Sequence, residues 1–450
     1  MQKLTPSLPV SNYYFRQQQL PAWARAAILV SLSCILIPRG VDIQLGTILI
    51  TSSRAVMALF SIIAVNQLLS GTVKILMTPA DFFMSTHIGI IMLSAIYHGK
   101  GGDGLENAIA TLTDMGLPYF VARVAVHNLH CYRYCIRIVL IIAAISAVFG
   151  LEEMLTGYSI IRNAYHRFFP NVEHLYLYEQ RLSLYRSLAT FPHWILFGLY
   201  CVLAFALAVY VKPYYLKMGR AFYKGCLVLS LGGVFASLSS GPWTALILCL
   251  FLLAYGRVMR NTVGRWKLLL LTAGAGLLFV SIVSNRGPLK VIASFALDPA
   301  TAYGRLYLWE MVLALMPDYW LLGWGWGDDW PRPEWFIWTS IDSYYAVWLV
   351  RSGIFAVLSI IAFLVYSWYR MSKVVGQKYF ATDEIRGWVL ATVSLFIMGI
   401  TVHIFGNLIF VTYFLLGAGQ TLFSTRESMV NKKTSAENYR SKHGNQITVF

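Results

Sequence analysis

Gly323-Trp-Gly-Trp-Gly-Asp-Asp-Trp330 and, a little further on, Asp342-Ser-Tyr-Tyr-Ala-Val-Trp-Leu-Val-Arg351-Ser-Gly353 decide how this chain is read. The second opens an apolar run reaching about residue 368, long enough to cross a bilayer as a helix. The first is a polar and aromatic insert whose glycines allow tight turns and whose tryptophans offer flat amphipathic faces. Ahead of both lies a short amphipathic segment in which Arg305 and Trp309 are four apart, hence on one face of a helix. Pro317 disfavours helical geometry at Met316 and predicts a stop there. From Ala302 to Gly353, polar chemistry gathers in a chain that is otherwise mostly apolar.

Of the 450 residues, 58% are hydrophobic and 12% charged, with a mean hydropathy of +0.60. A soluble domain carries about twice that charged share, so the soluble class is excluded. Apolar runs predict spans near 24–38, 54–70, 80–97, 105–122, 132–150, 192–211, 221–239, 243–256, 266–283, 342–368, 386–404 and 407–424. The expected fold is an all-α integral membrane protein of about 12 transmembrane helices, with a re-entrant turn possible in 40–53. The net charge of +16 sits in short loops between these runs, which points to membrane orientation and away from a nucleic-acid partner. Clusters such as Lys212, Lys217, Arg220 and Lys224, or Arg257, Arg260, Arg265 and Lys267, fall on one side if the spans alternate. Both termini are then cytoplasmic, and Arg39 and Arg54 are local exceptions on the outer side.

Two long outer segments result, about 151–191 and 284–341, the second carrying the amphipathic segment. Their aromatic content predicts order. Residues 1–424 read as a single polytopic domain and 425–450 as a flexible cytoplasmic tail. The six cysteines lie in or beside apolar runs, which argues against a disulfide framework. The first helix, followed by Pro38-Arg39-Gly40 and no small-residue cleavage site, reads as uncleaved.

On the outer side three features converge: Arg186 to His193 leading into the sixth span, the Ser239-Ser240-Gly241-Pro242 break, and the 302–353 stretch. A lone arginine at a membrane edge usually snorkels to headgroups. Two, Arg186 and Arg305, in aromatic or glycine-rich settings on one side suit a bound anion, since guanidinium offers fixed, permanently charged donors to phosphate oxygens. Trp309, Trp324 and Trp326 are candidate glycan contacts, against the alternative of an interfacial aromatic belt. Asp342 and His193 are the candidate bases; Asp342 at a helix start could equally be an N-terminal cap. Asp328-Asp329 and His127-(x)2-His130-Cys131 are weak metal patterns.

Arg305-(x)3-Trp309-(x)7-Pro317, the glycine–tryptophan run, Asp342-Ser-Tyr-Tyr and Arg351-Ser-Gly353 together resemble the signature loop of the O-antigen ligase and polysaccharide polymerase superfamily of bacterial membrane glycosyltransferases. Arg186-(x)3-Thr190-Phe-Pro-His193 with Gly198 is similar to that family's earlier outer motif, and Gly417 fits as well. The resemblance implies transfer of a glycan from an undecaprenyl-diphosphate donor on the periplasmic face of the inner membrane, with no metal or other cofactor. Carried over, Arg186 and Arg305 hold the diphosphate, Asp342 or His193 serves the acceptor hydroxyl, and Trp309, Trp324, Trp326 and Tyr344 meet the glycan. Flippase and chain-length regulator proteins are the partners it implies, besides the lipid-linked glycan and membrane lipids. Ligases commonly carry histidine–asparagine where this chain has Asp342-Ser343, which favours a polymerase of exopolysaccharide or O-antigen repeats over a ligase to lipid A core. The family's serine–arginine–glycine element has Ser240 in place of its arginine. A transporter or flippase is the rival class, but it would place ionisable residues at mid-membrane and show a repeat.

Overall fold

The computed structural model describes residues 20–45, 48–99, 102–172, 179–283, 299–326, 330, 340–375 and 381–422. The protein is an all-α membrane protein. Among the described residues, six helices are long and apolar enough to cross a membrane: Ser52–Leu69, Pro79–His98, Leu129–Thr156, Ser240–Val258, Arg265–Ile282 and Tyr344–Lys373. Ala22–Leu36, Trp194–Ala208 and Asn407–Gly419 are apolar but shorter. Arg220–Ala236 and Thr382–Met398 complete the lengthwise packing. The helix Tyr344–Val375 lies along Pro79–His98, Thr382–Met398 along Trp194–Ala208, and Asn407–Gly419 along Leu117–Ala125.

Four local expectations are corrected. The span read at 105–122 is not one α-helix: Asp103–Thr111 and Leu117–Ala125 are joined by a π-helical turn, Leu112–Gly116. That wider turn carries Asp114, whose two oxygens take the Arg54 Nε at 2.9 Å and Nη2 at 2.6 Å. The basic exception at Arg54 is therefore neutralised by an ion pair, which removes its weight as an orientation signal. In the 40–53 segment Asp42–Leu45 pairs antiparallel with Ile48–Thr51, and Thr51 caps the next helix.

The remaining corrections concern the segment with Arg305. It is a 21-residue helix, Pro299–Tyr319, not a short one. Nor is it amphipathic: Leu308, Met311 and Val312 are buried, while Tyr307 and Leu313 are exposed on other sides. It also runs through Pro317. Only two helical residues follow the proline, so the lost amide removes one bond from a final turn that frays in any case.

Ion pairs mark the end of the bundle opposite to Arg186 and Arg305. Arg123 bonds Asp81 through Nε at 2.7 Å and Nη2 at 3.0 Å, with the Tyr119 hydroxyl also on Asp81 at 2.7 Å. Arg133 reaches Glu384 at 2.6 Å. Burying one partner alone would be strongly destabilising, so each pair ties its two helix ends together. The sidedness expected from loop charge is open to a direct check. A reporter fused near Pro333, a position outside the described residues, is expected to be active only in the periplasm. One fused near Val375 is expected to be active only in the cytoplasm. Activity at Pro333 in the cytoplasm would reverse the assignment.

Candidate active site

Three elements build one cavity. The first is the loop 186–193. Glu153, fully buried near the end of Leu129–Thr156, accepts the amides of Leu188 at 2.9 Å and Ala189 at 2.8 Å. Ala189 sits in the left-handed region, with φ 50°. This conformation points successive amides at one carboxylate. Arg162 binds the same loop from the other side, donating to the carbonyls of Ala189, at 2.9 Å, and Phe191. Thr190 and Ser187 fix it further, to Ile35 O and Gly150 O. The outcome is a rigid platform from which Arg186 and His193 project. The guanidinium of Arg186 lies 3.8 Å over the Trp194 ring and donates to Glu179 at 2.7 Å. Gly198 lets this wall pack closely: a methyl group there would collide with Pro242 and Ser237, so the break at 237–242 seats directly on it.

The second element is an opened helix. Within Tyr344–Val375, Gly353 leaves helical geometry, with φ 77° and ψ −176°. The carbonyls of Val350 and Arg351 are taken by loop amides, Trp324 N at 2.6 Å and Gly325 N at 3.1 Å, and Ile354 N donates instead to Trp320 O at 2.8 Å. Ser94 Oγ adds a bond to Arg351 O at 2.7 Å. The glycine–tryptophan run thus splices into the helix backbone. A Cβ on Gly353 would overlap the Leu321 carbonyl, and one on Gly323 the Val350 oxygen and the Arg351–Ser352 peptide. Trp326 lies under the Arg351 guanidinium, 4.8 Å from its centre.

The third element is the turn after Thr382–Met398. Tyr344 N bonds Gly399 O at 2.8 Å and Val402 O at 3.0 Å, which draws Thr401, Val402, His403 and Phe405 against the start of the opened helix. These elements enclose a cavity of about 570 Å³ whose wall holds Arg181, Arg186, Arg305 and Arg351, together with His193, His403, Asp342, Ser239, Ser240, Trp330 and Phe405.

Of the residues picked from sequence, Arg186, Arg305, His193 and Asp342 meet there. The four aromatic candidates do not line it. Tyr344 is wholly buried, with its hydroxyl 2.7 Å from that of Tyr413. Trp309 donates to Ile400 O at 2.9 Å, Trp324 packs against Tyr319, and Trp326 backs Arg351. Asp328 and Asp329 lie outside the described residues. His127 stacks on Trp23, and among the described residues no three His, Cys, Asp or Glu side chains are grouped as a metal site.

Two geometric details separate the candidate bases. The cap of the opened helix is Ser343, whose Oγ accepts from Ala346 N at 3.3 Å. Asp342 instead accepts from Ser340 Oγ at 3.1 Å and faces the cavity. His193 Nδ1 accepts from Ile195 N at 3.2 Å, so the ring proton sits on Nε2. Burial, then Arg186 and Arg305, push His193 down to about 4, and it is uncharged at neutral pH. In that tautomer it offers a donor to a ligand and no basic nitrogen. Burial and Arg351 push His403 down to about 3.

A family model described as O-antigen ligase matches residues 225–360. The match supports the resemblance to the O-antigen ligase and polymerase superfamily. It covers less than a third of the chain, running from Arg220–Ala236 through the break, the Arg305 helix and the glycine–tryptophan run to just past Gly353. Arg186 and His193 lie outside the matched superfamily region, yet their loop closes the same cavity. No curated protein matches the chain.

Sequence reasoning missed Arg181, Glu153 and Arg162. Arg181 lies on a two-residue hairpin strand with no local signature. Glu153 and Arg162 act on the backbone of a loop more than twenty residues away, a pairing no spacing rule encodes.

Proposed function

We propose that this protein is a membrane glycosyltransferase that polymerises lipid-linked polysaccharide repeats. It transfers the glycan of an undecaprenyl-diphosphate donor to a sugar hydroxyl of a second lipid-linked unit, on the periplasmic face. The observation that carries this reading is the gathering of Arg186, Arg305 and Arg351 with one carboxylate, Asp342, in a single cavity. In the proposed step the acceptor oxygen attacks the anomeric carbon, whose bond to the diphosphate oxygen breaks. The hydroxyl proton passes to Asp342 and the electron pair leaves with the diphosphate. The arginines are already oriented where that charge develops, so little reorganisation opposes the step. His193 Nε2–H donates to the same developing charge or to a glycan oxygen.

Cells lacking the protein are expected to accumulate single lipid-linked repeats and lose the polymer. The purified protein should lengthen such repeats in a bilayer. Polymer that is made but left on its lipid carrier in those cells would point to the ligase branch. Absence of any glycosidic transfer by the purified protein would favour a transporter. Because the arginines take the place of a cation in this scheme, chelation with EDTA is expected to leave the transfer rate unchanged. A rate abolished by EDTA and restored by a divalent cation would overturn that part of the proposal.

A further inference from the structure

A transferase cavity must hold a sugar ring as well as a diphosphate, and Trp309, Trp324 and Trp326 do not line it. Three larger aromatic side chains line the wall: Trp194, Trp330 and Phe405. Trp194 is covered by the Arg186 guanidinium at 3.8 Å, and Trp330 is 4% exposed. Phe405 is half-buried, and two imidazoles lie near it. Its ring centre is 6.5 Å from that of His193 and 5.3 Å from that of His403, with interplanar angles of 58° and 36°. Among the described residues neither nitrogen of His403 is bonded to protein, and His193 keeps Nε2–H for a ligand.

We propose that Phe405, with His193 and His403 near it, is the platform on which a pyranose ring of the glycan stacks. This rests on the glycosyltransferase reading and names the subsite that reading needs. The ring's C–H face would lie on the negative π-face of Phe405. Its edge hydroxyls would meet His193 as a donor and His403 as both donor and acceptor, a pairing that uncharged imidazole supplies. The turn 399–406 is fixed by the two bonds from Tyr344 N and by Asn407 Nδ2 to Ile37 O at 3.2 Å. The platform is therefore in place before substrate arrives.

The test is saturation-transfer NMR on the full chain in nanodiscs, with methyl glucoside, galactoside, mannoside and rhamnoside as probes. At least one is expected to receive saturation on the protons of one ring face. Phe405→Leu and His403→Ala should each weaken that binding by roughly fivefold, the order expected for one aromatic or hydrogen-bond contact. Phe405→Trp, which keeps a flat face, should retain it. Equal binding in Phe405→Leu and the unaltered protein would overturn the platform, and so would absence of transfer to every probe. Should Phe405→Leu reach the membrane poorly, the His403→Ala and Phe405→Trp arms decide. Sugar binding that persists in a protein unable to lengthen lipid-linked repeats would count against the polymerase reading and leave the platform standing.

Discussion

Asp342→Asn is expected to lower glycan transfer at least tenfold, and toward the ~10²–10⁴-fold that loss of a general base costs, with membrane abundance unchanged. The substitution is nearly isosteric and keeps an oxygen for Ser340 Oγ, 3.1 Å away. It does not touch the helix cap, because Ser343 performs that role toward Ala346 N and also holds Gly399 O at 3.1 Å. The two adjacent residues therefore separate stability from chemistry. Ser343→Ala should lower protein level through a lost cap worth about 1 kcal/mol, while Asp342→Asn should lower rate alone. Quantitative immunoblotting beside a polymerisation assay reads both. Full activity in Asp342→Asn would end the case for this carboxylate as base, and His403 would be the next group to test.

Arg186→Lys and Arg305→Lys are each expected to reduce polymer by about 10²–10³-fold, the cost of removing one preorganised donor to developing charge. Lysine keeps the charge but loses the planar fork that meets two phosphate oxygens at once. At Arg186 it also loses the flat contact 3.8 Å above Trp194, which sets the direction of the side chain. Arg351→Lys should cost less, since Trp326 still offers a cation a ring face there. Gel profiles of the polymer, normalised to membrane protein, measure all three. If both Arg186→Lys and Arg305→Lys make polymer of full length and amount, these arginines serve only as interfacial anchors.

The apolar runs, the break at Ser239–Pro242 and the converging arginines were legible because each obeys a local rule of period, propensity or charge. The glycine–tryptophan run is legible as unusual, but its place in the helix backbone is not. Its tryptophans resemble sugar faces, whereas its backbone amides and glycines complete a helix and its Trp326 holds an arginine. The same limit explains Tyr344. An aromatic residue beside a candidate base looks like a substrate contact, and only the packing of Asn407–Gly419 shows its hydroxyl against Tyr413. Phe405 sits in a turn without a signature, brought to the cavity by the Tyr344 amide. Side-chain chemistry was readable from the chain; which backbone groups would consume it was not.

The splice at Gly353 bears on how the protein is made. A lipid-exposed helix cannot leave carbonyls and amides unmet, since each costs several kcal/mol in hydrocarbon. Val350 O and Ile354 N have these partners only once residues 320–325 have docked, and Arg351 O then gains Gly325 N beside Ser94 Oγ. The span that begins at Tyr344 is therefore not a finished insertion unit when it leaves the ribosome. Its first turns remain provisional in the bilayer, and they set only when the preceding segment folds back onto them. Membrane integration and assembly of the cavity become a single late event in biogenesis, so a chain stalled before that docking has neither a stable span at 344–375 nor a cavity.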